Sequence, residues 1–346
     1  MDATIAAILG FDGLTTGAVY ALLSISLVLV FTVTRVIYIP AGEFVAFGAL
    51  TMAALQAGRA PPTALLTCAL GAAVFLLDLA HALRERSRAG LAGSAGWNLA
   101  WPLAAWALAR LPALQQAGMG VQVLLTLAIL VPAGPMLHRL CFARLQQASV
   151  LTLLIAAVAL HFALLGTGLL MFGAEGSRTL PLTELRLSWA GVEISGQSLA
   201  VIATSIAAMT GLAAFFGRTL TGKALRATAV NRIGAQLVGI GPQRAGALAF
   251  LMATALATFS GVLVGPLTTV YYESGFLIGL KGFVGAIIGG LAGYPIAVAG
   301  AVMVGLIESF ASFWASAYKE VLVFALIVPV LAWRSFTHRG VDEDEA

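Results

Sequence analysis

Four ionisable side chains stand inside, or at the edge of, long apolar stretches of this sequence: Glu43, Asp78, Lys281 and Glu308. In hydrocarbon such a group costs several kcal/mol unless it is paired or hydrated, so each is a candidate for handling an ion or solute. Each also has a structural reading. Glu43 follows Pro40 and Gly42 at the start of an apolar run, where a carboxylate complements the positive end of a helix. Asp78 precedes His81 and Arg84 and reads as half of a local pair. Lys281, in "GLKGF", has a stem long enough to snorkel toward a membrane surface. Glu308 lies deep in its run and reads as a hydrogen-bond partner for a neighbouring helix. No two of the four are spaced as an acid–base pair, and no Ser-His-Asp or Cys-His arrangement is present. The four histidines lack metal-ligand spacing, and Cys68 and Cys141 read as small buried hydrophobes. The chemistry on offer is recognition and passage, with no enzyme and no metal.

One motif looks catalytic and fails. Gly217 to Lys223 spells G-x-x-x-x-G-K, but Ala224 stands where a Ser or Thr hydroxyl would bind Mg²⁺. The motif also follows an apolar span, whereas a phosphate loop follows a strand. This chain is not expected to bind ATP or any other cofactor.

The elements that position these residues must be membrane spans. Of 346 residues, 60% are hydrophobic and only 10% are charged, against about 25% charged in a soluble domain. No globular core could bury that much apolar surface, so the solvent is lipid. A helix crosses the hydrocarbon in about 20 residues, which predicts spans at 13–33, 41–57, 62–80, 97–113, 119–137, 148–172, 198–217, 245–268, 276–292, 295–313 and 320–335. The fold class is an all-α polytopic bundle of 9–11 spans. Three of these segments, 41–57, 97–113 and 276–292, are short enough to be re-entrant or broken. The start, "MDATIAAILGFDG", lacks the charge pattern of a cleavable signal, so the first span is expected to be retained.

Charge sets the orientation. With the N-terminus outside, thirteen Lys and Arg residues fall on the inner side, among them Arg35, Arg84, Arg86, Arg88, Arg139, Arg144, Arg334 and Arg339, and five fall outside. The positive-inside rule favours this arrangement, with a cytoplasmic C-terminus. Five of the thirteen lie in one stretch, "GRTLTGKALRATAVNRIGAQLVGIGPQR", Gly217 to Arg244, which contains no acid. Val230, Ile233 and Leu237 step by three and four there, which predicts a short amphipathic cytoplasmic helix ended by Gly239 and Gly241-Pro242. Such a helix could lie on lipid headgroups or dock into a partner's groove. Glycines repeat every fourth position at Gly13 and Gly17, at Gly261 and Gly265, and at Gly285, Gly289 and Gly293, a pattern of close helix packing in lipid.

Three blocks resemble the permease subunits of high-affinity branched-chain amino acid importers of the ABC class. They are "GLTTGAVYALLSISLVLVFTVTRVIYIPAGEFVAFGAL" (Gly13 to Leu50), "GKALRATAVNRIGAQLVGI" (Gly222 to Ile240) and "GLKGFVGAIIGGLAGYPIAVAGAVMVGLIES" (Gly279 to Ser309). The resemblance implies the ABC importer permease fold, with the chain forming half of a pathway through the bacterial inner membrane for branched-chain amino acids or related small solutes. It implies two cytoplasmic ATP-binding subunits carrying ATP and Mg²⁺, a second and different permease subunit, and a periplasmic solute-binding protein; no nucleic acid is expected. The basic stretch becomes the coupling loop, 218–244, with Arg226, Asn231 and Arg232 at the rim of the contact and Ala235 and Gly239 allowing close approach. Tyr38, Gly42, Glu43, Lys281 and Glu308 become candidates for the solute pathway. The sequence departs from the family pattern Asn-Phe-Ala-His-Gly-Glu, reading Tyr38-Ile39-Pro40-Ala41-Gly42-Glu43, so only Gly42 and Glu43 match. About 40 extra residues lie between Glu43 and His138, and 58–118 is read as an inserted helical hairpin within one membrane domain, 1–346. Alternatives are an ion-coupled secondary transporter, a permease for a sugar or amide, or a structural membrane subunit.

Overall fold

A computed structural model describes residues 3–85, 91–146, 148–189 and 192–337. Arg86, Arg88 and Arg339 of the charge count lie outside the described residues. The chain forms α1 (Ala3–Thr34), α2 (Ala41–Gln56), α3 (Thr63–Glu85), α4 (Trp101–Ala109), α5 (Met119–Leu130), α6 (Val150–Phe172), a hairpin of β1 (Arg186–Trp189) and β2 (Val192–Ser195), α7 (Gly196–Arg218), α8 (Leu220–Val230), α9 (Arg232–Leu237), α10 (Pro242–Val264), α11 (Ser274–Ile288), α12 (Tyr294–Trp314), α13 (Lys319–Ala325) and α14 (Ile327–Thr337). Among the described residues, eight helical stretches are long and apolar enough to cross a membrane. The three segments that the sequence marks as short are the ones absent from that set. Two are the 16- and 15-residue helices α2 and α11. The third, predicted at 97–113, is a helix whose first turns include a π-helical stretch, Gly96–Ala100, and which ends at Ala109.

Helix α1 is the central post. It packs against α12, α10, α11 and α7. Lipid gives two helices no hydrophobic reason to associate, so close van der Waals contact must hold them together, and small residues permit it. A Cβ added at Gly13 would lie 2.8 Å from the Cα of Leu306, and one at Gly17 would lie 2.8 Å from the Cα of Val302. The four-residue glycine spacing is therefore the α1–α12 seam. Gly285 and Gly289 serve the α11–α12 seam in the same way, against Ala301 and Ala297.

Residues 35–40 leave the helix. Arg35 has φ +63° and Pro40 precedes α2. Backbone polar groups that leave a helix need other partners where they are buried. Val36 and Tyr38 are buried, and local turns satisfy part of the backbone through Ala41 N to Tyr38 O (3.1 Å) and Gly42 N to Ile39 O (3.2 Å). Helix α2 then starts inside the bundle, with Gly42 packed on Gly275 and Gly279 of α11.

Hydrogen bonds define the two ends of the bundle. At one end the Thr32 and Tyr294 hydroxyls lie 3.5 Å apart and Arg232 reaches Gln146. At the other, Ser309 donates to the Leu9 carbonyl, Leu180 N to Gln56, and Thr179 N to the Gly265 carbonyl. Arg35, Arg139, Arg144 and the basic stretch 218–244 thus share one end, while the segment around Thr179 and Leu180 and the start of α1 share the other.

Candidate functional site

Glu43 enters α2 in its first turn, where the sequence predicts helix-end stabilisation. Its side chain instead meets α6. His161 Nδ1 lies 2.6 Å from Glu43 Oε1, and the two side chains are 6% and 1% exposed. With the carboxylate ionised, Nδ1–H of the imidazole donates. The ring is stacked on Phe276 of α11, centroids 4.5 Å apart, so a single imidazole ties together α2, α6 and α11. His161 was not among the candidates drawn from the sequence. The available signal was a lone titratable ring within an otherwise apolar 23-residue helix.

Lys281 does not snorkel. Its side chain is 7% exposed, and Nζ donates to Glu308 Oε1 at 2.5 Å and to Glu320 Oε1 at 3.2 Å. Tyr20 Oη donates to the second oxygen of Glu308 at 2.7 Å. The network joins α1, α11, α12 and α13 and places two carboxylates around one ammonium. Glu308 also borders an open cavity of about 520 Å³, shared with Asp12, Thr16, Ser198, Leu267 and Phe313, at the end of the bundle holding the start of α1. Asp78 forms no local pair with Arg84. It binds Arg139 and accepts a hydrogen bond from Ser94, bridging α3 to the segment after α5.

The other pathway candidates are packed. Tyr38 is fully buried, its ring 4.6 Å from Phe250 and 6.5 Å from Phe44. Gly42 is a contact residue, since any Cβ there would strike the Gly275 backbone.

The coupling stretch is two helices where the sequence predicts one. Asn231 has φ −146° and ψ 103°, and its Oδ1 accepts from Gly234 N at 2.7 Å. An asparagine amide competing for backbone N–H groups favours a cap over a helix interior, so α8 ends and α9 begins there. Asn231 is thereby spent on capping. Arg232 is held within the chain, donating to the Gln146 backbone carbonyl (3.3 Å) and side-chain oxygen (2.8 Å). Ala235 is buried against its own chain. Gly239 has φ +86°, a left-handed conformation that turns the chain at the end of α9, and no atom from elsewhere in its own chain within 4 Å of where a Cβ would go. Arg226 borders a cavity of about 520 Å³ with Phe216 and Tyr294. Lys223, Arg226 and Gln236 face outward, and beside them stand four large apolar side chains, Val230, Ile233, Leu237 and Val238, 72–84% exposed.

Cys68 and Cys141 are free thiols, and no group of three or more His, Cys, Asp or Glu side chains gathers to hold a metal ion among the described residues. Among the described residues, eight helices long and apolar enough to cross a membrane, close glycine seams and ion pairs buried between helices define a polytopic α-helical membrane protein. The chain belongs to the branched-chain amino acid transport system / permease component family, which matches residues 91–331. That range contains the second and third of the three resembling blocks; the first, Gly13 to Leu50, precedes it. Among curated proteins it is similar to the high-affinity branched-chain amino acid transport system permease protein BraD of Pseudomonas aeruginosa, 35% identical over 146 residues, 42% of this chain and 48% of that one. It is similar to permease protein LivH of Escherichia coli K12, 33% identical over 167 residues, 45% of this chain and 54% of that one. A probable LivH of Methanocaldococcus jannaschii is 26% identical over 244 residues, 64% of this chain and 76% of that one. The chain spans about half the length of the first two curated relatives. No solved structure matches it.

Proposed function

We propose that this chain is the membrane-embedded half of an ATP-driven importer for branched-chain amino acids or related small solutes. It would be driven through the α8–α9 elbow by a separate ATPase that carries the ATP and Mg²⁺. The observation that carries the reading is the elbow itself. Four large apolar side chains stand out of it beside Arg218, Lys223 and Arg244, on a segment already capped and tethered by its own chain. Burying a side chain of this kind contributes about 1.5–3 kcal/mol, so an unpartnered row of four is a poor design for a free surface and a good one for a helix-in-groove contact. Basic residues gathered at that end support a cytoplasmic elbow, an external N-terminus and a cytoplasmic C-terminus in a bacterial inner membrane. The full assembly would hold two ATP-binding subunits, a second and different permease, and a periplasmic solute-binding protein. The names of the relatives support the solute class.

The test is reconstitution of the chain with its partner permease, ATPases and binding protein in proteoliposomes. Leucine uptake should require ATP, and Ile233→Asp with Leu237→Asp should abolish ATPase co-purification while leaving the chain folded. Uptake by the chain alone down an ion gradient, or an elbow labelled from outside intact cells through a thiol placed at Val238, would refute the reading.

A further inference from the structure

Two stretches of π-helix occur among the described residues, Gly96–Ala100 and His138–Phe142, and both border one cavity. Such turns are rare and are frequent at functional sites. The cavity, of about 500 Å³, lies at the basic end of the bundle, between α3, these two stretches and the start of α10. Trp97 and Asn98 reach it from the first stretch, His138 and Arg139 from the second, and Gln243 and Arg244 from α10.

Every charged side chain on its wall is positive. Asp78 holds Arg139 from α3, and Arg244 makes no ion pair among the described residues. Two guanidiniums therefore share one carboxylate. Helix α10 begins at Pro242 after Gly241, and no side chain caps its first turn. The partial positive charge of a helix N-terminus adds to that of the arginines.

The deep wall offers donors as well. His138 is 2% exposed, packs its ring on Phe250 with centroids 5.0 Å apart, and makes no hydrogen bond among the described residues. A neutral imidazole still carries one N–H donor, and a buried polar group without a partner calls for an explanation. Asn98 is 5% exposed, and its Nδ2 donates to Ser94 Oγ at 3.1 Å. An amide nitrogen has two hydrogens to give, so one is left over. Donors and positive charge from three segments converge on one space, and the complementary ligand is an anion with several acceptor oxygens, as a phosphate group has.

The place of the cavity names the source of the phosphate. Trp97 and Trp101 stack with centroids 5.9 Å apart and are 44% and 46% exposed. Tryptophan gathers at the level of the headgroups in a membrane, and basic pockets between spans take anionic headgroups there. We propose that this cavity binds the phosphate of an anionic phospholipid, whose acyl chains stay in the bilayer. Arg244 and Arg139 meet the phosphate charge, and His138 and Asn98 donate to its oxygens from the deep side. Trp97 and Asn98 thereby give residues 58–118 a part in the site. No transport step is involved, so the site stands or falls separately from the permease reading.

The experiment titrates the full chain in dodecyl maltoside micelles with dioleoylphosphatidylglycerol or dioleoylphosphatidylcholine, which share their tails, and counts bound lipid by native mass spectrometry. Phosphatidylglycerol should bind at one site at least about tenfold more tightly than phosphatidylcholine, the order of one hydrogen bond to a charged group. Arg244→Gln should remove about tenfold of the phosphatidylglycerol affinity and leave that for phosphatidylcholine unchanged. Arg218→Gln, at the same end and outside the cavity, should change neither. Ala247→Trp, which fills the cavity, should erase the preference; Arg244 is exposed, so its variant serves if the tryptophan variant does not fold. Equal affinity for the two lipids, a preference kept in Arg244→Gln, or an equal loss in Arg218→Gln overturns the site. Displacement of phosphatidylglycerol by an equimolar amount of glycerol 3-phosphate, the soluble form of the same group, assigns the cavity to free phosphate compounds and overturns the lipid.

Discussion

Replacing His161 with Phe should be among the most damaging single substitutions in the membrane interior. The Glu43 side chain is 1% exposed and His161 is its hydrogen-bond partner, at 2.6 Å. Phe preserves the ring that stacks on Phe276 and removes only the donor, leaving both Glu43 oxygens without a partner in a low-dielectric interior. Stripping one member from a buried pair costs about 3–5 kcal/mol, because the other charge is left uncompensated. That is roughly a hundred- to several-thousand-fold in the ratio of folded to unfolded chain. Adding Glu43→Leu should restore most of the loss, since replacing both members of a buried pair by apolar groups is often neutral or better. The double-mutant cycle should therefore give a coupling energy of about 3 kcal/mol. Equilibrium unfolding in mixed micelles titrated with dodecyl sulfate, followed by the fluorescence of the six tryptophans, measures it. A loss below about 1 kcal/mol for His161→Phe, or a double variant as unstable as the two singles summed, would show that the pair does not stabilise the bundle as argued.

Three further outcomes follow from the same geometry. Gly17→Leu should separate α1 from α12, costing about 1–3 kcal/mol or more as overpacking, whereas Gly10→Ala, with nothing within 4 Å of its added Cβ, should be neutral in the same unfolding assay. Gly239→Val forces a branched residue into φ +86° at about 1–2 kcal/mol; uptake per ATP hydrolysed should fall, while Gly241→Ala, at φ −72°, leaves it unchanged. Asp78→Asn should cost no more than about 1 kcal/mol because Arg139 is half exposed, while Lys281→Met, which leaves Glu308 and Glu320 around an absent ammonium, should cost about 3–5 kcal/mol in thermal stability comparisons by light scattering.

The legible part of the candidate site was the set of ionisable residues in apolar context, and the illegible part was their pairing. Glu43, Lys281 and Glu308 stood out because a charge in a 20-residue apolar run is expensive wherever it points. Their partners lie 118, 27 and 39 residues away in the pairs Glu43–His161, Lys281–Glu308 and Lys281–Glu320. No spacing rule for a single helix reaches that far. Asp78 illustrates the error this invites: Arg84 was near in sequence, but Arg139, 61 residues on, was near in space. The coupling stretch shows the same limit locally. Its apolar periodicity predicted a helix correctly in kind, and Asn231 divided it because an amide side chain took over a backbone N–H.

Sequence alone was enough for eight long apolar spans and for the glycines of the α1–α12 and α11–α12 seams. Lipid cannot hydrogen-bond a backbone, so every crossing segment must be long, apolar and self-satisfied. The tertiary structure decided which helix meets which glycine, that residues 35–40 leave the helix with Val36 and Tyr38 buried, and that an imidazole and a carboxylate face each other in the interior. Those are properties of distance between helices far apart in the chain. Hydropathy records only how each residue regards its solvent, and says nothing of which neighbour packing brings to it.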